Sequence, residues 1–419
     1  MNEQIKQRTA QLNNGEVPNG YEKTEIGTFP VGWKTTTLDE LLEFKNGVNA
    51  DKEKYNSGVK MISVMDILTD SPIYYDKIKG QVDIDKKTLG TYSVTYGDIL
   101  FQRSSETFED AGKSNVYLDQ DRTATYSGFV IRGKKKADYN PYFLNEALRI
   151  GQVRNQIIRN AAGSQHINVG QDSLAKIIVP LASDAEQSKI AEILMKWDEA
   201  IELYDKLVSI LIIKRDAIVQ KIVSANAEWK EYSLSDILQE KNDYSQKNNE
   251  HVVLSSAKQG IFYQSDYFDK QVASENNIGY KIVCRGDIVL SPQNLWLGNI
   301  NYNDVFEIGI VSPSYKIFEI KSGYDKTLIS TIMKQPSMLH QYVLASEQGA
   351  SIVRRNLNMD LFYKIKIILP SIEKQNQLGK IIETINKHIF LCKLQLENIK
   401  SQRKILQQYL LNGIVRVEV

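Results

Sequence analysis

The chain is written twice. From Ile190 an apolar residue returns at alternating steps of four and three: Ile190, Leu194, Trp197, Ile201, Tyr204, Val208 and Leu211, then Arg215, Ile218 and Ile222. The same ladder runs Leu378, Ile382, Ile385, Ile389, Cys392, Leu396 and Ile399, then Arg403, Leu406 and Leu410. Every rung lies 188 residues after its counterpart, and the one polar rung is arginine in both. A mean period of about 3.5 residues over about four heptads is the signature of a coiled-coil seam. Ser183 with Glu186 predicts a capping box at the start of the first helix, and Asn412-Gly413 a stop for the second. Each helix would hold about 40 residues and run about 60 Å. Two copies in one chain predict an antiparallel pair about a pseudo-twofold axis, in preference to two helices that each pack only on their own domain. The arginine rungs are expected to snorkel at the seam's edge.

The repeat reaches back into the segments before each helix. GWKTTTLDELLEF from Gly32 is echoed by EWKEYSLSDILQE from Glu228, YGDILFQR from Tyr96 by RGDIVLSP from Arg285, and KIIVP ending at Pro180 by KIILP ending at Pro370. Each module of about 150 residues mixes short β-like runs with one or two helices, an α+β composition. The expected division is a helix and extended arm over 1–31, a module over 32–183, a long helix over 184–224, a second module over 225–371, and a second helix with a tail over 372–419.

Bulk properties exclude several classes. Apolar residues make up 42% and charged residues 25%, as in soluble globular chains. The net charge of +1 gives no overall basic field, although a local groove can still be basic. Two cysteines and four scattered histidines offer neither a disulfide framework nor metal-ligand spacing. No run approaches the roughly 18 apolar residues of a membrane span, and the start of the chain has no apolar signal core, so a soluble cytoplasmic protein is expected.

TFEDAGKS over 107–114 matches the phosphate-cradling G-x-x-x-x-G-K-[ST] loop except at Thr107. The second copy has NLWLGNI at that place, with Gly298-Asn299 standing for Gly112-Lys113. The glycine repeats and the lysine does not, so a tight turn after a strand is the better reading. NPYF at Asn140–Phe143 is one proline short of the N-P-P-[YF] loop of amino-methyltransferases. Asn as N-cap and Pro at the first helical position explain it. No G-x-S-x-G, H-E-x-x-H or C-x-x-C is present, which points to a binding or scaffolding protein that is not itself an enzyme.

Two tandem α+β modules, closing on KIIVP and KIILP and each followed by a heptad helix, resemble the specificity subunits of type I restriction–modification enzymes. The resemblance covers the chain from about Gly32 and rests on YGDILFQR with Gly112-Lys113, on AAGSQHINVGQDSLAKIIVPLASDAEQSKIAEIL, and on RGDIVLSP, SEQGASIV and SIEKQ in the second half. The arm GYEKTEIGTFPVGW is also similar to the family's lead-in. The resemblance implies two target recognition domains, each reading one half of a split DNA site, and a helix pair that sets the gap. It implies docking of two methyltransferase subunits and, through them, two restriction–translocation subunits. S-adenosylmethionine, ATP and Mg would be bound by those partners and not by this chain. Two departures are visible. Lys374-Gln375 matches half of Glu186-Gln187, and the stretch from Gly349 to Pro370 is four residues longer than that from Gly163 to Pro180.

Base readout needs side chains with paired donors and acceptors, Arg for guanine and Gln or Asn for adenine. In the first module these are Gln102, Arg103, Ser104 and Ser105, then Ser164, Gln165 and His166. In the second they are Ser291, Gln293 and Asn294, then Ser351, Arg354 and Arg355. Lys113 and Arg159 are expected to touch phosphate, which sets register. Trp296 is expected to pack within a turn. The modules share a plan but differ in sequence, so an asymmetric site is expected. The rival reading is a coiled-coil scaffold for other proteins, which would carry apolar loops where this chain has Gln, Arg, Ser and Asn.

Overall fold

The computed structural model describes residues 3–163, 165–223, 229–267, 276–348 and 355–418. They gather into two compact units, residues 1–203 with 396–419, and residues 204–395. The fold is α+β in both.

Each unit is organised around a four-stranded antiparallel sheet assembled in the same chain order. In the first unit Leu42–Asn46, Val130–Lys135, Ile99–Gln102 and Ser114–Val116 lie side by side in that sequence. In the second the row is Leu238–Lys241, Lys316–Ile320, Asp287–Leu290 and Ile300–Tyr302. The repeated DILF and DIVL runs are inner strands, with Ile99–Gln102 and Asp287–Leu290 buried throughout, so they read as unbroken rather than alternating apolar segments. The other two echoes pair with each other. Lys34–Thr37 runs antiparallel to Ile178–Leu181, and Lys230–Ser233 to Lys366–Leu369.

The Gly-Asp step before each inner strand is a turn device. Gly97 and Gly286 have φ of 90° and 94°, a region that favours glycine. The following aspartate folds back: Asp98 Oδ2 accepts from the Thr95 N–H at 3.0 Å, and Asp287 Oδ2 from the Cys284 N–H at 2.8 Å. Beyond the sheet two helices follow in each unit, Pro141–Ala147 with Gly151–Arg159, and Lys326–Ile332 with Pro336–Leu344. Asn140 caps the first, its Oδ1 accepting from the Phe143 N–H at 3.0 Å, so NPYF is a helix start. Outside this shared frame the units differ. The first adds Tyr55–Ile62 between Gln81–Val82 and Thr125–Tyr126, with a satellite core around Ile62, Tyr117 and Tyr126. The second has a Leu254–Ala257 and Gly260–Tyr263 hairpin.

The long helices span Asp184–Val223 and Ile372–Leu411, 40 residues each. The Ser183 Oγ accepts from the Glu186 N–H at 3.4 Å, and the second helix ends two residues before Gly413, whose φ is 65°. In the first unit Ile190 and Leu194 join Leu406, Leu410 and Leu411 in the module's own core, beside Trp33 and Phe143. In the second, Val208, Ile385 and Ile389 form a helix–helix cluster with Leu211 and Cys392, while Val219, Ile382 and Leu378 join the module core. Rising numbers on one helix meet falling numbers on the other, so the pairing is antiparallel within each unit. Trp197, Ile201 and Tyr204 are half-buried, and Leu396 and Ile399 are buried. The seam therefore serves two purposes, with its end rungs welded into globular cores.

The arginine rungs require a correction. Arg403 does not snorkel; its side chain is 11% exposed. Its guanidinium donates to Asp198 Oδ1 at 2.9 Å, to the Tyr142 hydroxyl at 2.9 Å, and pairs with Glu146 at 2.7 Å. The reason is the helix Pro141–Ala147, which carries Tyr142 and Glu146 across the rung. Burial alone would lower the pKa of Arg403, but Glu146, Tyr142 and Asp198 outweigh it and raise the value, so the charge is held. Arg215, the matching rung, donates to Asn386 Oδ1 at 3.3 Å and to Asp216 at 2.9 Å.

Candidate nucleic-acid interface

TFEDAGKS lies between the inner strand Ile99–Gln102 and the strand Ser114–Val116. A phosphate-cradling loop must open a helix, and this one opens a strand. Lys113 pairs with Asp110 at 2.5 Å and is half-exposed. Gly112 and Gly298 have φ of 61° and 92° at matching places, two residues before a sheet strand.

The sequence-predicted readers divide into three groups. Arg103, Ser104, Lys113, Arg159, Gln165 and His166 have side chains at least partly exposed. Gln102, Ser105 and Ser291 are buried. Gln102 Nε2 donates to the Ser104 carbonyl at 2.8 Å, and Ser105 Oγ to the Thr107 carbonyl at 2.6 Å, so these groups shape the loop from inside. Gln293 is exposed, and Asn294 Nδ2 donates to Ser291 Oγ at 3.3 Å. Ser164, Ser351 and Arg354 lie outside the described residues. Arg355 stacks its guanidinium over the Trp296 ring at 5.2 Å, which places Trp296 within a local packing role.

In the first unit the two loops that carry the expected readers are stitched together. Ile167–Asn168 pairs with Ser104–Ser105, Ser104 Oγ donates to Asn168 Oδ1 at 2.5 Å, and the Val169 N–H donates to the Arg103 carbonyl at 3.0 Å. The Arg103 N–H is in turn held by the Phe129 carbonyl at 3.0 Å, and its Nη1 donates to the Gly128 carbonyl at 3.3 Å. In the second unit the corresponding stretch is a hairpin of Ser346–Gln348 with Arg355–Leu357.

Three positioning groups escaped sequence reasoning. Arg154 donates to the carbonyls of Glu109, Ala111 and Gly112 at 3.0, 2.8 and 3.1 Å, fixing the loop that carries Lys113. Burial lowers its pKa from the ordinary arginine value, with Asp110 opposing. In the second unit Lys334 reaches the Gly298 carbonyl at 3.4 Å and Asn301 Oδ1 at 2.6 Å, and burial pushes its ammonium down to about 8. The third is a glutamine clip. Gln187 accepts from the Asn140 N–H at 2.9 Å and donates to the Ala182 carbonyl at 2.9 Å. Gln375 accepts from the Asp325 N–H at 3.2 Å and donates to the Pro370 carbonyl at 2.9 Å. The shared Gln of EQ and KQ was the available signal, since half of a pair that repeats is the half that carries the geometry.

Each unit thus combines a four-stranded antiparallel sheet with polar loops at its strand ends and an antiparallel helix pair, an α+β class of module present twice in the chain. Residues 30–209 match the family model described as the type I restriction modification DNA specificity domain. A protein named as the type I restriction enzyme MjaX specificity subunit of Methanocaldococcus jannaschii is 24% identical over 95% of this chain and 97% of its own length. Two solved structures share the fold. The type I restriction–modification S subunit from M. genitalium has a TM-score of 0.53 at 15% identity, covering 94% of this chain and 98% of that one. A chain from a study of the assembly and conformational transition of the type I R-M system has a TM-score of 0.53 at 12% identity, covering 93% and 99%. On these findings residues 30–209 carry a type I restriction modification DNA specificity domain, and the chain is similar over nearly its whole length to a type I specificity subunit, which supports a role in DNA sequence specificity.

Proposed function

We propose that this chain reads a bipartite, asymmetric DNA site, one half with each module, and performs no catalysis of its own. The observation that carries the reading is the contrast within the duplication. The sheet frame, the Gly-Asp turns and the glutamine clips are repeated, whereas the reader loops are not. A duplicated frame with unlike loops suits two unlike half-sites. Half-site centres on one face of DNA lie about 34–36 Å apart, or a multiple of that, and the paired helices would fix which.

The helices also present an unused apolar surface. In the second unit Leu207, Ile210 and Ile213 on one helix and Phe390, Leu391 and Leu394 on the other are exposed, Ile213 by 67% and Phe390 by 64%. Exposed apolar stripes of this kind mark protein contacts, and we assign this one to a methyltransferase subunit. The full assembly would hold two methyltransferase subunits and two restriction–translocation subunits, with S-adenosylmethionine, ATP and Mg bound by them. Among the described residues no helix is long and apolar enough to cross a membrane; the cytoplasmic location is part of the proposal and follows from the DNA-reading role.

Selection from a randomised DNA duplex library with the full chain, purified with the subunits it carries from its host, tests the reading. Enrichment of two short unlike motifs at a fixed gap is expected. Enrichment of one continuous motif, or of none, contradicts it.

A further inference from the structure

Beside Arg103 the first unit has an open cleft of about 440 Å³ lined by Asn46, Arg103, Asn168, Val169, Gly170, Gln171 and Asp172. Its polar groups are in two conditions. Asn168 is committed to the fold, accepting from Ser104 and donating to the His166 carbonyl at 3.1 Å. Among the described residues Arg103 makes a single side-chain hydrogen bond, to Gly128, and no ion pair. The side chains of Asn46, Gln171 and Asp172 are hydrogen-bonded to no other described residue, and Asp172 is exposed. Unspent donors and acceptors converging on one cleft, on a frame stitched by backbone hydrogen bonds, describe a recognition site that awaits a polar partner.

We propose that this cleft is the base-reading pocket of the first module, with Asn46, Gln171 and Asp172 joining Arg103 as specificity-determining residues. The inference rests on the DNA-specificity reading above and names the base chemistry. Arg103 offers a fork of donors, which matches the O6 and N7 acceptors of guanine. Asp172 offers only acceptors, which match the N4 amino group of cytosine. The two together suit one G·C pair or two neighbouring ones. Gln171 and Asn46, each with a donor and an acceptor, suit the N6 and N7 edge of adenine. A carboxylate in a DNA-facing cleft costs nonspecific affinity through phosphate repulsion. Its presence among readers is therefore explained by selectivity.

The test compares the full chain with D172N, Q171A and R103K in the same randomised-duplex selection, with thermal melting of each. D172N is expected to lose at least about fivefold of its discrimination at one position of one half-site, a loss proper to a base contact. The other half-site and the gap should be unchanged. Q171A should relax a different position of the same half, and R103K the guanine. Unaltered motifs in melting-competent D172N and Q171A overturn the pocket while leaving the two-part motif of the parent chain standing. Failure of the parent chain to select any motif overturns the reading beneath it. If D172N alone melts early, Q171A decides.

Discussion

The two units answer the same architectural problem with different chemistry at one place. In the first, Arg403 sits in a nearly closed network with Asp198, Tyr142 and Glu146, and Gln407 donates to Glu146 at 2.9 Å. In the second, the matching helix positions carry Asn386 for Asp198, Thr327 for Tyr142 and Thr331 for Glu146. Among the described residues Arg215 meets a neutral amide and its own neighbour Asp216, and Thr331 turns its hydroxyl to the Thr327 carbonyl at 2.7 Å. The contrast separates what the duplicated frame requires, a long side chain at this rung, from what it tolerates, the presence or absence of buried acids. A buried charge network is weak evidence for net stability, but removing one partner from it is costly.

The largest effect that would sharpen this comparison is on that rung. Arg403→Ala should destabilise the first unit by about 3–5 kcal/mol by stranding Glu146 and Asp198, while Arg215→Ala should cost about 1 kcal/mol. Urea unfolding monitored separately at Trp33 and Trp229 would read both; equal losses would break the comparison. Next come the clips, where the units should behave alike. Gln187→Ala and Gln375→Ala each leave a backbone N–H and a carbonyl without a partner, at about 1–3 kcal/mol apiece.

Smaller still is a pH effect confined to the second unit. The folded pKa of Lys334 is lowered from 10.5 to about 8, so between those values the unfolded chain holds a proton that the folded chain has released. Stability should then rise with pH across that window and be flat in this respect below it; because the Lys334 side chain is exposed, solvent screening keeps the rise well below about 1 kcal/mol per unit. Lys334→Met should remove the rise relative to the parent; a rise that persists in the variant would assign it elsewhere. The smallest expected effect is on DNA binding. Lys113→Ala should lower the salt slope of affinity by about 1 and weaken all sequences alike, with base preference unaltered.

The frame was legible in the sequence because duplication prints geometry twice. DILF and DIVL, the prolines after KIIV and KIIL, and the heptad rungs mark inner strands, the closing strand pair and the helix seams. Gly112 and Gly298 could be read as turns because the left-handed conformation favours glycine, whereas a lysine at that turn is optional. The site was less legible. Gln102, Ser105 and Ser291 have the residue types of base readers, but their places at strand ends turn them inward. Arg154 and Lys334 were invisible because they reach loop carbonyls from different chain positions, so no repeat flags them. Nor could periodicity show that Arg403 is crossed by the helix carrying Tyr142 and Glu146, since that contact spans about 260 residues.

The central claim is that two unlike readers on a duplicated frame give one split DNA specificity. A modified-base map of the host genome by single-molecule sequencing, with and without this gene, tests it most directly. A split motif of two unlike parts at a fixed gap, lost on deletion and restored by the intact gene, is the predicted result. A map unchanged by deletion in a host whose partner subunits are expressed would contradict it.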